Sequence, residues 1–591
     1  MVQFLKMLLA SCLGLFLALV LISLIGMGVV AGLVQSQQPK HHVEANSVLH
    51  LTFDDAIPEQ TNNIEMQTFD LKNEKVLGLT DIVNALETAA KDDNIKGVFM
   101  EVDQLAAGFA TSSILRDALA DFRSQGKFVL TYSKYYTQGA YYVSSVADQI
   151  YINPLGLLDF RGFAAQVPFM KDMLDKVGVK MQVYYAGKFK SATEPYRRND
   201  MSPENRLQLR EFLDEAYTLY LEDVAASRQL PLAELRRLAD GYLGADPEDA
   251  LRHKLVDKVG YRDEALADLR GRLGLKEDDK IKMVSLRQYF TAKPPKVDLK
   301  IKDKIAVIYA EGSIVDGKGD MGMIGDDKYI KVIEKIAKDD KVKAVVLRVN
   351  SPGGSAMSSE NIWRALTRLK EEGKPLVVSM GDYAASGGYY IACVADSILA
   401  EPNTLTGSIG VFSVLPSMDK LFNDKLGIHF DTVKTGRFAT GFSPFYDHSP
   451  EEARYLQKRT DQMYETFLKR VSEGRGKSRD EVNEIAQGRV WTGRKAMELG
   501  LVDKLGSLDD AIATAAHMAK ISEYRPVEYP AVKEPIQQLL EDLLGEEEES
   551  TIRKSAIRKE MGEWYPYYAY LQELSASKGM QARVPFIWEY R

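Results

Sequence analysis

Lys338-Asp339-Asp340-Lys341-Val342-Lys343-Ala344-Val345 has a near copy 247 residues upstream, Lys91-Asp92-Asp93-Asn94-Ile95-Lys96-Gly97-Val98. Four more pairs follow in the same order. Gly139-Ala140-Tyr141-Tyr142 matches Gly387-Gly388-Tyr389-Tyr390, and Val146-Ala147-Asp148 matches Val394-Ala395-Asp396, both at an offset of 248. Met201-Ser202-Pro203-Glu204 matches His448-Ser449-Pro450-Glu451 at 247, and Leu255-Val256-Asp257-Lys258 matches Leu501-Val502-Asp503-Lys504 at 246. Five collinear matches at one period identify an internal duplication. The two copies run roughly 45–275 and 301–530.

Each copy alternates β-branched runs with helical patterns. In the second, Lys304–Tyr309 reads as a strand, Tyr329–Lys338 as an amphipathic helix, and Ala344–Val349 as a strand buried on both faces. The turn Asn350–Ser355 follows, then a helix near Ser359–Glu371, a strand at Leu376–Ser379, and a helix opened by Ser386–Val394. This alternation predicts an α/β fold with parallel strands. Residues 276–300, with Lys293-Pro294-Pro295-Lys296, read as a linker. The tail 531–591 carries the charge run Glu546–Glu549 and the cluster Trp564-Tyr565-Pro566-Tyr567-Tyr568, and has no counterpart in the first copy.

Met7–Val34 is a run of 28 residues without a charge, flanked by Lys6 and by Lys40, His41 and His42. A span needs about 20 apolar residues, and a cleaved signal peptide usually has an apolar core of only about 7–15. Residues 7–34 are therefore expected to be a transmembrane anchor. Leu9-Ala10-Ser11-Cys12 resembles a lipoprotein cleavage box, but most of the apolar run comes after it, and it is read as chance. A six-residue leader before a long body predicts N-in topology, with the body outside the cytoplasm.

Composition excludes several classes. The 591 residues carry 76 Lys+Arg against 84 Asp+Glu, a formal charge of −8, with no electrostatic footprint for nucleic acid. The two cysteines, Cys12 in the apolar run and Cys393 in a buried-looking strand, make no disulfide framework. Seven scattered histidines form no HExxH or Cys/His cluster, so no metal or other cofactor is implied.

Two glycine-rich turns of the second copy carry the chemistry. Asn350-Ser351-Pro352-Gly353-Gly354-Ser355 follows a strand, and Ala384-Ala385-Ser386-Gly387-Gly388 precedes a helix. Either alone reads as a tight turn. Together they suit acyl transfer, with Ser386 exposed at a helix N-terminus. The Gly387 amide, with that of Gly353 or Gly354, would supply an oxyanion hole. The serine needs a base. No histidine lies near either turn, and His448 aligns with Met201, so a lysine is the remaining type of base. In the first copy Gln138 stands in place of Ser386, and Ala106 and Ala107 in place of Gly353 and Gly354. That copy instead holds Gly187-Lys188-Phe189-Lys190-Ser191, aligned with Gly436-Arg437-Phe438-Ala439-Thr440. Lys188 keeps a basic partner, Arg437, whereas Lys190 faces Ala439. One copy has the serine and the other the lysine. This complementary loss points to a composite site; drift between duplicates is the alternative.

With Asn350–Ser355, Gly381–Tyr389, Thr406-Gly407-Ser408-Ile409-Gly410-Val411 and Gly187–Pro195, the chain resembles the SppA family of signal peptide peptidases (protease IV) in its long, two-repeat form. The resemblance implies two tandem Clp/crotonase-like repeats of ββα units. It implies Ser386 as nucleophile, Lys190 as general base, Ser408 as the hydroxyl that hydrogen-bonds the lysine, and Gly387, Gly353 and Gly354 as oxyanion support. It further implies a membrane-tethered homotetramer at the bacterial inner membrane, active on peptides such as signal-peptide remnants. Lys190 would have to be neutral, which apolar lining between the repeats could bring about. Competing readings are a crotonase-like acyl-CoA enzyme and a silent membrane scaffold. Ser417-Met418-Asp419-Lys420 with Lys434-Thr435-Gly436 imitates penicillin-binding enzymes, but no SDN or SxN element lies between them.

Overall fold

The computed structural model of the chain describes residues 42–63, 76–295, 298–532 and 580–583, with the single positions 14 and 561. The anchor expected at 7–34 lies outside the described residues apart from Gly14, as does most of the tail. Among the described residues no helix is long and apolar enough to cross a membrane.

The first copy supplies β1 (Ser47–Leu51), β2 (Ile95–Glu101), β3 (Phe128–Tyr136), β4 (Gln149–Leu158), β5 (Lys180–Ala186), β6 (Lys258–Val259) and β7 (Lys282–Ser285). The second supplies β8 (Lys304–Glu311), β9 (Ile314–Val315), β10 (Ile324–Gly325), β11 (Val342–Ser351), β12 (Gly353–Ser355), β13 (Leu376–Ala385), β14 (Ser397–Ala400), β15 (Leu405–Gly407), β16 (Val411–Ser417), β17 (Val490–Thr492), β18 (Lys504–Leu505) and β19 (Arg525–Tyr529). A last strand, β20 (Gln581–Arg583), comes from the tail.

The duplication recurs as topology. The first sheet runs β6-β4-β3-β2-β1-β7 and is parallel throughout. The second contains the same path, β18-β14-β13-β11-β8-β19, also parallel, and adds β15 and β17 beyond β13. Both faces of these sheets are covered, and so their strands are apolar runs without alternation. β11 is the example: Ala344 to Leu347 and Val349 are buried, on whichever face they point. After β5 in the first copy and after β16 in the second comes a 26-residue helix, Pro203–Arg228 or Pro450–Arg475. Each starts from a serine N-cap (Ser202, Ser449) followed by proline, which is the signal that made Ser-Pro-Glu recur.

Two expectations need correction. Residues 276–300 are not simply a linker: β7 pairs with β1, and Leu286 and Tyr289 of the next helix are buried in the first core. The physical reason is that β1 would otherwise be an uncovered sheet edge. Cys393 lies at the end of the Gly387–Ala392 helix, buried, rather than in a strand. The tail contributes β20 to a third sheet, β10-β9-β12-β20-β16-β5.

That third sheet binds the copies together. β5 of the first lies antiparallel to β16 of the second, from Val411↔Ala186 to Ser417↔Lys180. A buried polar seam reinforces it. Arg348 on β11 makes two hydrogen bonds to Glu59 of the first copy, 2.9 and 3.1 Å, and donates to Ser379 Oγ and the Met380 carbonyl. The Phe109–Ser124 helix has Gly108 at its N-cap and so no cap of its own. Asp382 of the second copy caps it instead, accepting from the Thr111 amide at 2.9 Å and hydroxyl at 2.7 Å.

Removing one member of a buried ion pair leaves the other charge uncompensated, at a cost of about 3–5 kcal/mol. Glu59→Ala is expected to lower unfolding stability by that order in a denaturant titration. The double variant Glu59→Leu/Arg348→Met should recover most of the loss.

Candidate active site

The site is built where β13 ends. The chain leaves Ala385 and enters the Gly387–Ala392 helix through Ser386, whose φ of 55° is positive. Such backbone is uncommon for a residue with a Cβ and marks local strain. The turn holds because its neighbours are small. A Cβ on Gly387 would fall 2.7 Å from Ser359 Oγ, and one on Gly388 would fall 2.7 Å from the Ser351 carbonyl oxygen. The flanking sequence lacks GxSxG, yet a sharp strand-to-helix turn of the same kind is present. The Ser386 amide donates to the Gly407 carbonyl at 2.8 Å, tying the turn to β15.

Lys190 arrives from the first copy. After β5 the chain turns at Gly187, φ 105°, so Lys188 and Lys190 do not continue the strand. Lys188 is exposed and lies over the Phe189 ring at 5.2 Å; Lys190 is 1% exposed. A loop of the second copy clasps this turn. The Phe189 amide donates to the Gln487 carbonyl, and a Cβ on Gly488 would fall 2.6 Å from Lys190 Cβ. Behind it, buried Gln208 donates to the Phe189 carbonyl (3.0 Å) and to Ser191 Oγ (2.9 Å). Gln208, Gln487 and Gly488 were not singled out from sequence. Only the Ser-Pro-Glu match, four to six residues before Gln208, marked that helix at all.

The two copies meet at the polar atoms. Lys190 Nζ lies 2.7 Å from Ser386 Oγ, 3.0 Å from Ser408 Oγ and 3.0 Å from the Ser408 carbonyl oxygen. Ser408 is held by its own positive φ of 51° and by its amide donating to the Arg489 carbonyl at 2.7 Å. Ser386 and Ser408 are fully buried. Phe212 of the first copy packs with Ala385, Leu405 and Val490 of the second in an apolar cluster beside the serine turn. Burial alone holds the Lys190 amine well below the usual lysine range. The neutral amine has two hydrogens and one lone pair. It can therefore donate to both Ser408 oxygens and accept the Ser386 hydroxyl proton, which accounts for all three contacts.

Gly353 and Gly354 stand against the start of the same helix. A Cβ on Gly387 would fall 3.1 Å from the Gly354 nitrogen, and one on Gly353 would fall 2.7 Å from the Gly387 nitrogen. Both glycines have positive φ, 100° and 159°. The structure thus brings together Ser386, Lys190, Ser408, Gly387, Gly353 and Gly354. His448 is elsewhere, with Nδ1 2.9 Å from Tyr184 OH. Among the described residues no cluster of metal-ligating side chains occurs.

The sequence profile of "Peptidase family S49" matches residues 121–276 and 368–522, one segment in each copy. "Protease 4" of Haemophilus influenzae is 36% identical over 449 residues, covering 74% of this chain and 72% of that protein. "Protease 4" of Salmonella typhi is 38% identical over 455 residues, covering 76% and 73%. "Serine protease SPPA, chloroplastic" of Arabidopsis thaliana is 31% identical over 555 residues, covering 92% and 78%.

A buried lysine whose amine is held below the usual lysine range leaves a signature in stability. Between its lowered folded pKa and the unfolded value near 10.4, the unfolded chain binds one more proton than the folded one. Stability therefore rises with pH in that window, by about 1.4 kcal/mol per unit. Lys190→Met should abolish this slope and be the more stable protein at neutral pH, as read by denaturant titration across pH.

Proposed function

The chain belongs to peptidase family S49 and is a serine-type peptidase, and from that premise we propose that Ser386 is its nucleophile and Lys190 its general base. The observation that carries this reading is the 2.7 Å contact between Lys190 Nζ and Ser386 Oγ, with the lysine buried and burial holding its amine well below the usual lysine range. A neutral amine can take a proton; an ammonium cannot.

The steps follow from the geometry. Lys190 takes the Ser386 proton as Oγ attacks the peptide carbonyl carbon. Negative charge develops on the carbonyl oxygen, in front of the first amide of the Gly387–Ala392 helix, an N–H without an intrahelical partner. Gly354 is the favoured second donor, because the Gly353 amide already donates to Ser351 Oγ at 3.2 Å. Loss of one such donor typically costs about 10²–10³ in rate. Collapse breaks the C–N bond. The Lys190 ammonium returns its proton to the leaving amine, and the acyl group stays on Ser386. Water, deprotonated by Lys190, then releases the acid. Ser408 holds the amine's two hydrogens so that its lone pair faces Ser386.

In this reading Met7–Val34 anchors the chain N-in in the bacterial inner membrane, and the catalytic body lies on the outer, periplasmic side. Substrates are extended peptides such as cleaved signal-peptide remnants. The uncharged run of 28 residues and the resemblance to signal peptide peptidases support this. Assembly into a homo-oligomer, a tetramer by that resemblance, is part of the same reading. The segment of the second copy that corresponds to the Lys190 arm exposes Ile428, Phe430, Val433, Phe438 and Phe442. An apolar surface of this kind is expected at a protein contact.

Ser386→Ala should lower peptide hydrolysis by at least about 10³-fold with little change in melting temperature. Lys190→Ala should do the same, whereas Lys188→Ala should keep near-normal rates. Loss with Lys188→Ala and retention with Lys190→Ala would overturn the assignment of the base. The rising limb of kcat/KM against pH should fall well below the usual lysine range. Oligomers mixed from Ser386→Ala and Lys190→Ala chains should remain at background, because each pair forms within one chain. Recovery of activity would place the pair between neighbours.

A further inference from the structure

Behind Lys190 runs a chain of three polar side chains, Glu194, Asn205 and Gln208, all buried. Glu194 follows the lysine on the same arm, and Asn205 and Gln208 lie on one face of the Pro203–Arg228 helix. Glu194 Oε2 accepts from Asn205 Nδ2 at 3.0 Å and from the Ser202 amide at 3.1 Å. Asn205 Oδ1 accepts from Gln208 Nε2 at 3.1 Å. Gln208 Nε2 also donates to the residues on either side of the lysine, to the Phe189 carbonyl at 3.0 Å and to Ser191 Oγ at 2.9 Å. Its Oε1 accepts from the Val490 amide of the second copy at 3.4 Å.

The direction of this chain is forced from one end. A carboxylate only accepts, so Asn205 turns its NH2 to Glu194 and its oxygen to Gln208. Gln208 is left with its NH2 toward the lysine arm and its oxygen toward β17. β17 pairs with β15, and the Gly407 carbonyl of β15 accepts from the Ser386 amide. One side-chain amide therefore spans from the lysine arm to the frame of the serine turn. Two neutral amides stand between the carboxylate and the arm, and Glu194 has its ion pair with Arg197, at 3.8 Å. Glu194 can thus set a direction without bringing its charge to the amine, where it would restore the ammonium.

The duplication gives an independent sign. On the offset that aligns Gly187 with Gly436, Glu194 falls on Ser443; on the one that aligns Met201 with His448, Asn205 and Gln208 fall on Glu452 and Tyr455. Tyr455 is exposed, and Glu452 closes the capping box of its own helix. The copy with Ala439 in place of the lysine has none of the three residue types.

We propose that Gln208, oriented by Glu194 through Asn205, is a positioning residue that holds Lys190 in its dry place against Ser386. This rests on the reading of Ser386 and Lys190 as the reactive pair. Gln208 acts through Phe189 and Ser191 and fixes the turn from which the amine projects. Without its donors the Phe189 carbonyl loses a partner, the turn loosens and water reaches the amine.

The test uses the full chain and a soluble chromogenic peptide, with kcat and KM measured across pH. Gln208→Met keeps the length of the side chain and removes its donors. It should lower kcat by about 10–100-fold at unchanged KM, the size expected when a reacting group is misplaced by about an ångström. Better solvation of the amine should move the rising limb of kcat/KM upward by about one pH unit. Glu194→Gln keeps the shape but no longer forces the direction of the chain. It should shift kcat and the limb the same way, with a loss in kcat of about 2–10-fold. A limb that stays in place in Gln208→Met overturns the proposal, whatever happens to kcat or melting temperature. Unmodified behaviour of Glu194→Gln overturns the orienting role of Glu194. Failure of both variants to fold also overturns the proposal, since the chain would then be a structural one. Full activity of Lys190→Ala refutes the Ser386/Lys190 reading instead.

Discussion

A lysine amine buried without a carboxylate partner among the described residues is the constraint on which the rest depends. Lys190 meets three oxygens, from Ser386 and Ser408, and none is charged. Water or a nearby carboxylate would restore the ammonium and remove the base. The site must therefore be dry, and neither copy can make it so alone. The lysine rides on the first, while Gln487, Gly488 and Ser408 that enclose it belong to the second. The β5–β16 ladder and the seam around Arg348 and Glu59 serve to hold that enclosure shut.

The duplication shows how such a site divides its labour. Both copies keep the same strand order, and both keep the capped 26-residue helix. They differ where chemistry needs special backbone. Ser386 and Ser408 both have positive φ, and Gly353 and Gly354 approach neighbouring backbone too closely for any Cβ. Such positions are costly unless the surroundings fix them. The first copy has Gln138, Ala106 and Ala107 at the corresponding places and uses its arm to deliver the amine. In acyl transfer the enzyme must present a nucleophile, a base and two oxyanion donors to one atom. In the mechanism proposed above, the second copy carries the donors and the nucleophile, and the first needs only to reach across.

The third sheet joins these parts to the question of access. Its order places β20 between the glycine turn and the strand leaving Ser408, antiparallel to both. A closed site is consistent with a base that must stay neutral.

Sequence by itself determined the repeat, the α/β class with parallel strands, and the two glycine-rich turns. These are written in local periodicity, apolar runs and residue types that only particular turns accept. Complementary loss between the copies also pointed to Lys190 rather than Lys188 as the proposed base. Tertiary structure decided the rest, because it depends on residues far apart in the chain. The turn at Gly187 sends Lys188 outward and Lys190 inward. Gln208, Gln487 and Gly488 matter through a contact between copies, for which no local pattern exists. Residues 282–292 read as linker because a short edge strand has little periodicity, yet β1 needs a partner. For β20 the reason is the same: three residues after a charged, aromatic tail carry no signal, and only the gap between β12 and β16 gives them a place.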